Sequence, residues 1–275
     1  MSDLTHRVRS FDIGLLTFYV VCSFVLAFIL LPVLVIFFYS FTGSPVGGFN
    51  SPTLTYYEGA LSSNLDAITL SIQIAVVTVA INVLTGVPVA YTLVRYDFPL
   101  KGLLTEVTIL PMAIPGIVIG VALVRSWGAP RFGLNLGGTV EILVIGHVLF
   151  TIPFMIQVTM ATLESIDYQK LEESARSLGA GWPQTFLLVI VPNIYNGIVA
   201  GSIMTFALSL GEFNISFFLQ TPLTTTLPVA LFGSFRTVDA GEASALASVF
   251  ILLIVGLLVL VQFISDEGVK LGGNV

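Results

Sequence analysis

At 275 residues the chain is long enough for a sizeable core, yet only 9% of it is charged and 56% is hydrophobic, with a mean hydropathy of +1.00. A water-soluble domain carries about a quarter charged residues, so this composition excludes one and points to a core that faces lipid and neighbouring helices. A net charge of −6 and a pI near 4.8 exclude an extended basic surface for nucleic acid, and so acidic and lysine-poor a chain fits a source in concentrated salt.

Residues 1–14 are a short polar head with Arg7 and Arg9, in which His6 reads as a solvated side chain rather than a ligand. Residues 15–41 are a continuous apolar run, longer than the core of a signal peptide and lacking its small-residue cleavage site. About 20 apolar residues cross a bilayer, so the run reads as a first transmembrane helix. Cys22 lies inside it as a small apolar filler, with no partner for a disulfide or a metal site. Residues 42–66 read as a loop rich in Gly, Pro, Ser and Asn, with Tyr56 and Tyr57 suited to the membrane interface.

Residues 67–94 are the second span, with Gln73 and Asn82 as polar insertions and Pro88 expected to kink it. A tight polar turn over 95–102 holds Arg95 and Lys101. Residues 103–125 are the third span; Pro111, Pro115, Gly116 and Gly120 predict that it is bent and closely packed, and Glu106 stands near its inner end. An outer loop over 126–139 precedes the fourth span, 140–162, which carries Glu141 at its edge and His147 and Gln157 inside. His147 fits a proton-linked or solute contact, or the commoner role of an isolated intramembrane histidine, a bond to a neighbouring helix.

Residues 163–192 are a long polar interval with the marks of a folded object. Asp167 is placed to cap a helix, because its carboxylate can accept the free N–H groups of a first turn. Leu171, Ala175 and Leu178 then fall at i, i+4 and i+7 and form one apolar stripe. Glu172 and Arg176 stand at i, i+4 with the acid N-terminal, the favourable order for a surface pair. Gly179 and Gly181 are expected to end the helix, and Pro183 to open the next.

This interval resembles the EAA loop of ABC importer permeases, E-A-A-x3-G-x9-I-x-L-P. Glu173-Ser174-Ala175 stands for E-A-A, Gly179 falls six residues after Glu173, and Pro192 nineteen after it. Ser174 replaces an alanine, and Val189 and Val191 replace the usual Ile and Leu. The Pro- and Gly-rich centre of the third span is similar to spans of the same family, and the resemblance extends over about residues 60–265.

The fifth span, 186–210, contains the small residues Gly197, Ala200, Gly201 and Ser202. Residues 211–242 read as a loop too apolar to be simply solvated, with FFL and LPVALF runs too short to span, so a re-entrant or surface-lying course is expected. Residues 243–264 are the sixth span, and 265–275 a short polar tail. The fold class is therefore an all-α integral membrane protein of six transmembrane helices with a cytoplasmic coupling loop. Six spans put both termini on one side. That side takes Arg7, Arg9, Arg95, Lys101, Lys170, Arg176 and Lys270, against Arg125, Arg131 and Arg236 on the other, so the positive-inside rule places the termini in the cytoplasm of a plasma-membrane protein.

The sequence has no G-x4-GK-[ST] phosphate loop, no histidine pair for a metal and no nucleophile–base set on one side of the membrane, so neither enzyme activity nor a cofactor is expected. The resemblance implies partners instead: cytosolic ABC ATPase subunits, a second permease subunit and an extracellular solute-binding protein, all around a chain bathed in membrane lipid. It implies that Leu171, Glu172, Glu173, Ala175, Arg176, Leu178, Gly179 and Pro192 form the ATPase-coupling set, with Glu173 as the acidic contact. Gln73, Asn82, His147, Gln157, Ser209, Glu212 and Asn214 are the expected solute-pathway residues. Residues 209–232 are similar to the spermidine/putrescine branch, and Ser209-Leu210-Gly211-Glu212-Phe213 equally to molybdate and sulfate permeases, with iron(III) and thiamine permeases as relatives. Glu212 favours a polyamine cation by Coulomb attraction, unless it is a structural carboxylate bonded to loop N–H groups, so a polyamine is the expected solute, with an oxyanion such as molybdate or sulfate, iron(III) or thiamine as the alternatives. A passive six-helix channel is the remaining alternative, and it leaves the folded loop unexplained.

Overall fold

The computed structural model describes residues 13–43, 52–129, 135–237 and 240–272, and every regular element among them is helical. The polar head, with Arg7 and Arg9, and Arg131 of the 126–139 loop lie outside the described residues. Helix α1, Ile13–Thr42, runs along α12, Ala240–Gly272, and its central window presents no buried side chain. The long helix α2, Thr55–Arg95, packs on α5, Val140–Ser165, and both pack on α9, Tyr195–Leu210. Ile74, Ile142, Leu143 and Ile215 fill one end of this core, and Tyr91, Met155, Leu163 and Ile190 the other.

Four single helices are long and apolar enough to cross a membrane, and two bent pairs bring the number up to six. The first bent pair is the expected third span: α3, Lys101–Ala113, and α4, Gly116–Trp127, meet at 101°. Pro115 is the cause, since a residue before proline is driven out of the helical region and Ile114 adopts φ −89°, ψ 123°. The second is the fifth span, where Trp182–Asn193 and Tyr195–Leu210 meet at 73° across Ile194. Its first arm comprises α7, Trp182–Thr185, a π-turn over Phe186–Ile190, and α8, Val191–Asn193. The Val191 N–H bonds the Phe186 carbonyl five residues back, a wide turn placed directly before Pro192, which has no N–H to give.

Several expected boundaries shift. Residues 55–66 are not loop but the first turns of α2, because Ala60 and Ile68 bury against Leu227 and Leu246. The Tyr57 hydroxyl bonds Ser40 and Ser248 at 2.8 Å each, so one phenol links α1, α2 and α12. Pro88 does not interrupt α2. The 211–242 interval contains two helices, α10, Asn214–Leu219, and α11, Leu227–Thr237, and α10 is inserted against α4 rather than lying on a surface. The last helix begins at Ala240 and continues to Gly272, through most of the expected polar tail.

Small residues set the closest approaches, as the sequence predicts. A methyl group at Gly197 would overlap the Thr162 hydroxyl of α5, and one at Gly120 would stand 3.3 Å from the Ile215 Cα of α10. Backbones this close gain van der Waals contact where lipid offers no hydrophobic driving force between helices.

Candidate coupling site and the polar layer behind it

Helix α6, Tyr168–Ser177, forms the folded part of the polar interval. Asp167 is its N-cap: its Oδ1 accepts the Lys170 N–H at 3.4 Å, and the Lys170 ammonium pairs with the same carboxylate. The Lys170 ammonium first, and the Lys170 N–H after it, hold the Asp167 carboxyl below its usual range. Gly179 terminates the helix at φ +85°, the left-handed turn that glycine adopts at least cost. Gly181 does not end it; its φ of −76° is ordinary, and it is the N-cap of α7, with Pro183 in the first turn.

The apolar stripe divides. Ala175 is buried and Leu171 packs against the Tyr91–Phe186 cluster of the same chain, whereas Leu178 is 90% exposed. The expected single apolar stripe of Leu171, Ala175 and Leu178 is thus corrected: two of the three are turned to the chain's own core, and Leu178 alone points away. Glu173 and Trp182 are exposed as well, the latter stacked on Phe186 with the ring centroids 5.7 Å apart.

Glu172 is the larger surprise. It pairs with Arg176 at 3.1 Å as the spacing predicts, but it is 6% exposed and not a surface residue. Its carboxylate accepts from Arg95 Nε at 2.7 Å and from the Tyr91 hydroxyl, both in the last two turns of α2. The Tyr91 ring is buried against Phe186, 4.9 Å between centroids, and the Arg95 guanidinium lies 4.2 Å over the Tyr96 ring. A small cleft of about 230 Å³ opens here, lined by Arg95, Tyr168, Gln169, Glu172, Glu173 and Arg176. Removing one partner of such a buried pair typically costs about 3–5 kcal/mol, because the other charge is left uncompensated. Sequence reasoning misses Tyr91 and Arg95, which stand 81 and 77 residues from their partner; no local signal connects them.

Behind this end lies a buried polar layer. His147 of α5 bonds Ser209 of α9 through Nδ1 at 2.8 Å and Ser216 of α10 through Nε2 at 2.9 Å. Thr151, one turn on, donates to the His147 carbonyl and accepts from Asn82 of α2 at 2.8 Å. The structure thus joins Asn82, His147 and Ser209 and adds Thr151 and Ser216, two hydroxyl residues that look unremarkable in the sequence. Glu212 is buried beside them, and its Oε2 accepts the Ile215 and Ser216 N–H groups at 2.8 and 3.0 Å, which caps α10. The remaining pathway candidates lie elsewhere. Gln73 lines a cavity of about 580 Å³ with Asn64, Asp66 and Thr225, towards the end of α2 away from Arg95, Asn214 is exposed, and the buried Gln157 Nε2 has no partner among the described residues. No cluster of three or more metal-ligating side chains occurs among the described residues. The Pro192 side of the loop serves the π-turn rather than α6.

Residues 82–268 match the family described as binding-protein-dependent transport system inner membrane component. The molybdenum transport system permease protein ModB of Escherichia coli K12 is 33% identical over 191 residues, covering 65% of this chain and 82% of that one. The spermidine/putrescine transport system permease protein PotC of Shigella flexneri is 25% identical over 251 residues, covering 90% and 93%. Among solved structures, a bacterial ABC transporter involved in the import of the acidic polysaccharide alginate aligns with a TM-score of 0.70 at 17% identity, over 94% of this chain and 97% of that one, and so shares the fold. The fold, the capped loop helix with its glycine turn and the match over 82–268 agree, and the chain belongs to the binding-protein-dependent transport system inner membrane components, as the permease subunit of an ABC importer of that class.

Proposed function

We propose that the chain lines half of the solute pathway of an ATP-driven importer, with a second permease subunit, cytosolic ATPase subunits and an external binding protein as partners. The outward side of α6 and its glycine turn is the ATPase contact. One observation carries this: α6 is fastened on its inner side while Glu173, Leu178 and Trp182 stand exposed at the same end. Glu173 is then free to meet a basic residue at the rim of a groove, and Leu178 to enter it. The clustering of Arg95, Lys170 and Arg176 at this end supports a cytoplasmic orientation.

For the solute, an oxyanion of the molybdate type is the favoured reading. Glu212, the residue that spoke for a cation, uses its carboxylate to cap α10. The higher identity is with the molybdenum permease, at 33%. The likeness to a spermidine/putrescine permease keeps a polyamine as the second reading. Uptake of labelled molybdate, sulfate and spermidine into liposomes containing the assembled importer tests both. ATP-dependent molybdate uptake is expected; spermidine uptake alone reverses the order, and flux through the isolated chain without ATP overturns the importer reading in favour of a channel.

A further inference from the structure

Helix α6 is a ten-residue element whose apolar side, at Leu171, rests on the cluster of Tyr91, Phe186 and Ile190. Before it, Ile166 is extended at φ −111°, ψ 155°; after it, Gly179 turns the chain at φ +85°. A helix this short is marginal alone and takes its placement from packing. Its polar attachments all lead to the end of α2: the Glu172 carboxylate to Arg95 and Tyr91, and the Tyr168 hydroxyl to the Val94 carbonyl at 3.5 Å. The side chains of Arg95 and Glu172 are 14% and 8% exposed, so solvent competes weakly with the bond. From there α2 continues unbroken for 41 residues, about 60 Å at 1.5 Å per residue. Its far half lines the cavity of about 580 Å³ with Asp66 and Gln73, and Ser71 accepts the Leu227 N–H of α11 at 2.7 Å. Midway, Asn82 is bonded to α5.

We propose that Arg95, Tyr91 and Glu172 clamp α6 to α2, so that a displacement imposed on α6 reaches the Asp66–Gln73 cavity along α2 as well as through the segment that follows α6. The proposal rests on the importer reading. In it Arg95 and Tyr91 are positioning residues: they touch neither solute nor ATPase, and they decide how much of the movement of α6 becomes movement of the pathway. The single Arg95 Nε–H is shared between the two Glu172 oxygens at 2.7 Å each, a charge-assisted three-centre bond that ties the carboxylate to the end of α2.

Two measurements test it. In the purified chain, Arg95→Gln and Tyr91→Phe are expected to speed amide exchange across 168–177 and to leave 140–165 unchanged. In liposomes containing the importer with its ATPase and binding protein, labelled molybdate, sulfate and spermidine are supplied in parallel and solute imported per ATP hydrolysed is counted. Arg95→Gln is expected to lower that ratio by about twofold to thirtyfold, the range of coupling changes seen for residues between two sites. Tyr91→Phe lowers it less, Arg95→Lys restores part of it, and the ATPase co-purifies as with the wild type. Tyr91→Phe keeps the ring packed on Phe186 and carries the test if Arg95→Gln fails to accumulate. An unchanged ratio with faster exchange overturns the clamp, as does unchanged exchange, or a loss of ATPase in proportion to uptake. A wild-type importer that moves none of the three solutes with ATP overturns the importer reading, while the exchange result still reports separately on the bond.

Discussion

Gly179 has open space where a Cβ would stand, so a side chain there meets no clash and the whole cost is conformational, on the order of 1 kcal/mol or more for a β-branched residue. Gly179→Val is therefore expected to leave the protein inserted and expressed but to misdirect the end of α6, weakening co-purification of the ATPase and abolishing uptake; Glu173→Lys is expected to do the same through charge. Retention of both activities in both variants would reduce the loop to a connector. His147→Ala is the opposite kind of change. It removes two interhelical bonds, each worth about 0.6–1.7 kcal/mol in a membrane protein, and leaves a cavity. Together these are expected to lower unfolding free energy by about 2–4 kcal/mol, read by thermal unfolding in detergent. The glycine turn is legible from the sequence because it is local, written within seven residues. The burial of Glu172 is not, since an i, i+4 acid–base pair looks the same on a surface as in a cleft, and only the arrival of Arg95 and Tyr91 from 77 and 81 residues away distinguishes the two.

Among the helices, α6 shows how a polar segment is kept folded at a membrane surface. Its cap depends on an ionised Asp167, whose folded-state pKa lies below the ordinary value of 3.8. A depressed carboxylate contributes its stabilisation above the unfolded pKa and loses it as pH falls through the folded one. Fraying of the first turn is thus expected only below about pH 4, with Asp167→Ala reproducing it at neutral pH; amide exchange at Lys170 is the measurement, and equal exchange in both proteins would show the cap to be idle. Apolar length found the spans, since a run of about 20 apolar residues has few other uses. It could not find the breaks at Ile114 and Ile194 with their angles of 101° and 73°, because hydropathy averages over a bend. Pro115 signals that the third span is disturbed but not which way it turns; that is decided by α10, which comes almost a hundred residues later. The start of α2 at Thr55 was hidden for a related reason: Ser, Asn and Gly over 55–66 read as a loop until Leu227 and Leu246 give Ala60 and Ile68 something to bury against.

For the whole molecule, the sidedness of the charges makes a direct prediction. In a Cys22→Ala background, a cysteine at Ser177 should react with an impermeant thiol reagent only from the cytoplasm and one at Ser63 only from outside; both positions are exposed and lie at opposite ends of the bundle. The reverse pattern would refute the argument from basic residues. The docking of α4 has a consequence of another kind, for the order in which the protein is built. Helix α1 is apolar throughout and requires no partner to enter the bilayer. Helix α4 does require one, since Gly116 and Gly120 are shaped to receive Glu212, Ile215 and Phe218. A nascent chain that has emerged only as far as residue 200 therefore holds 116–127 with its receiving surface empty, and a cysteine placed at Gly120 should react with a small membrane-permeant thiol reagent at that stage, whereas completion of α10 should shield it.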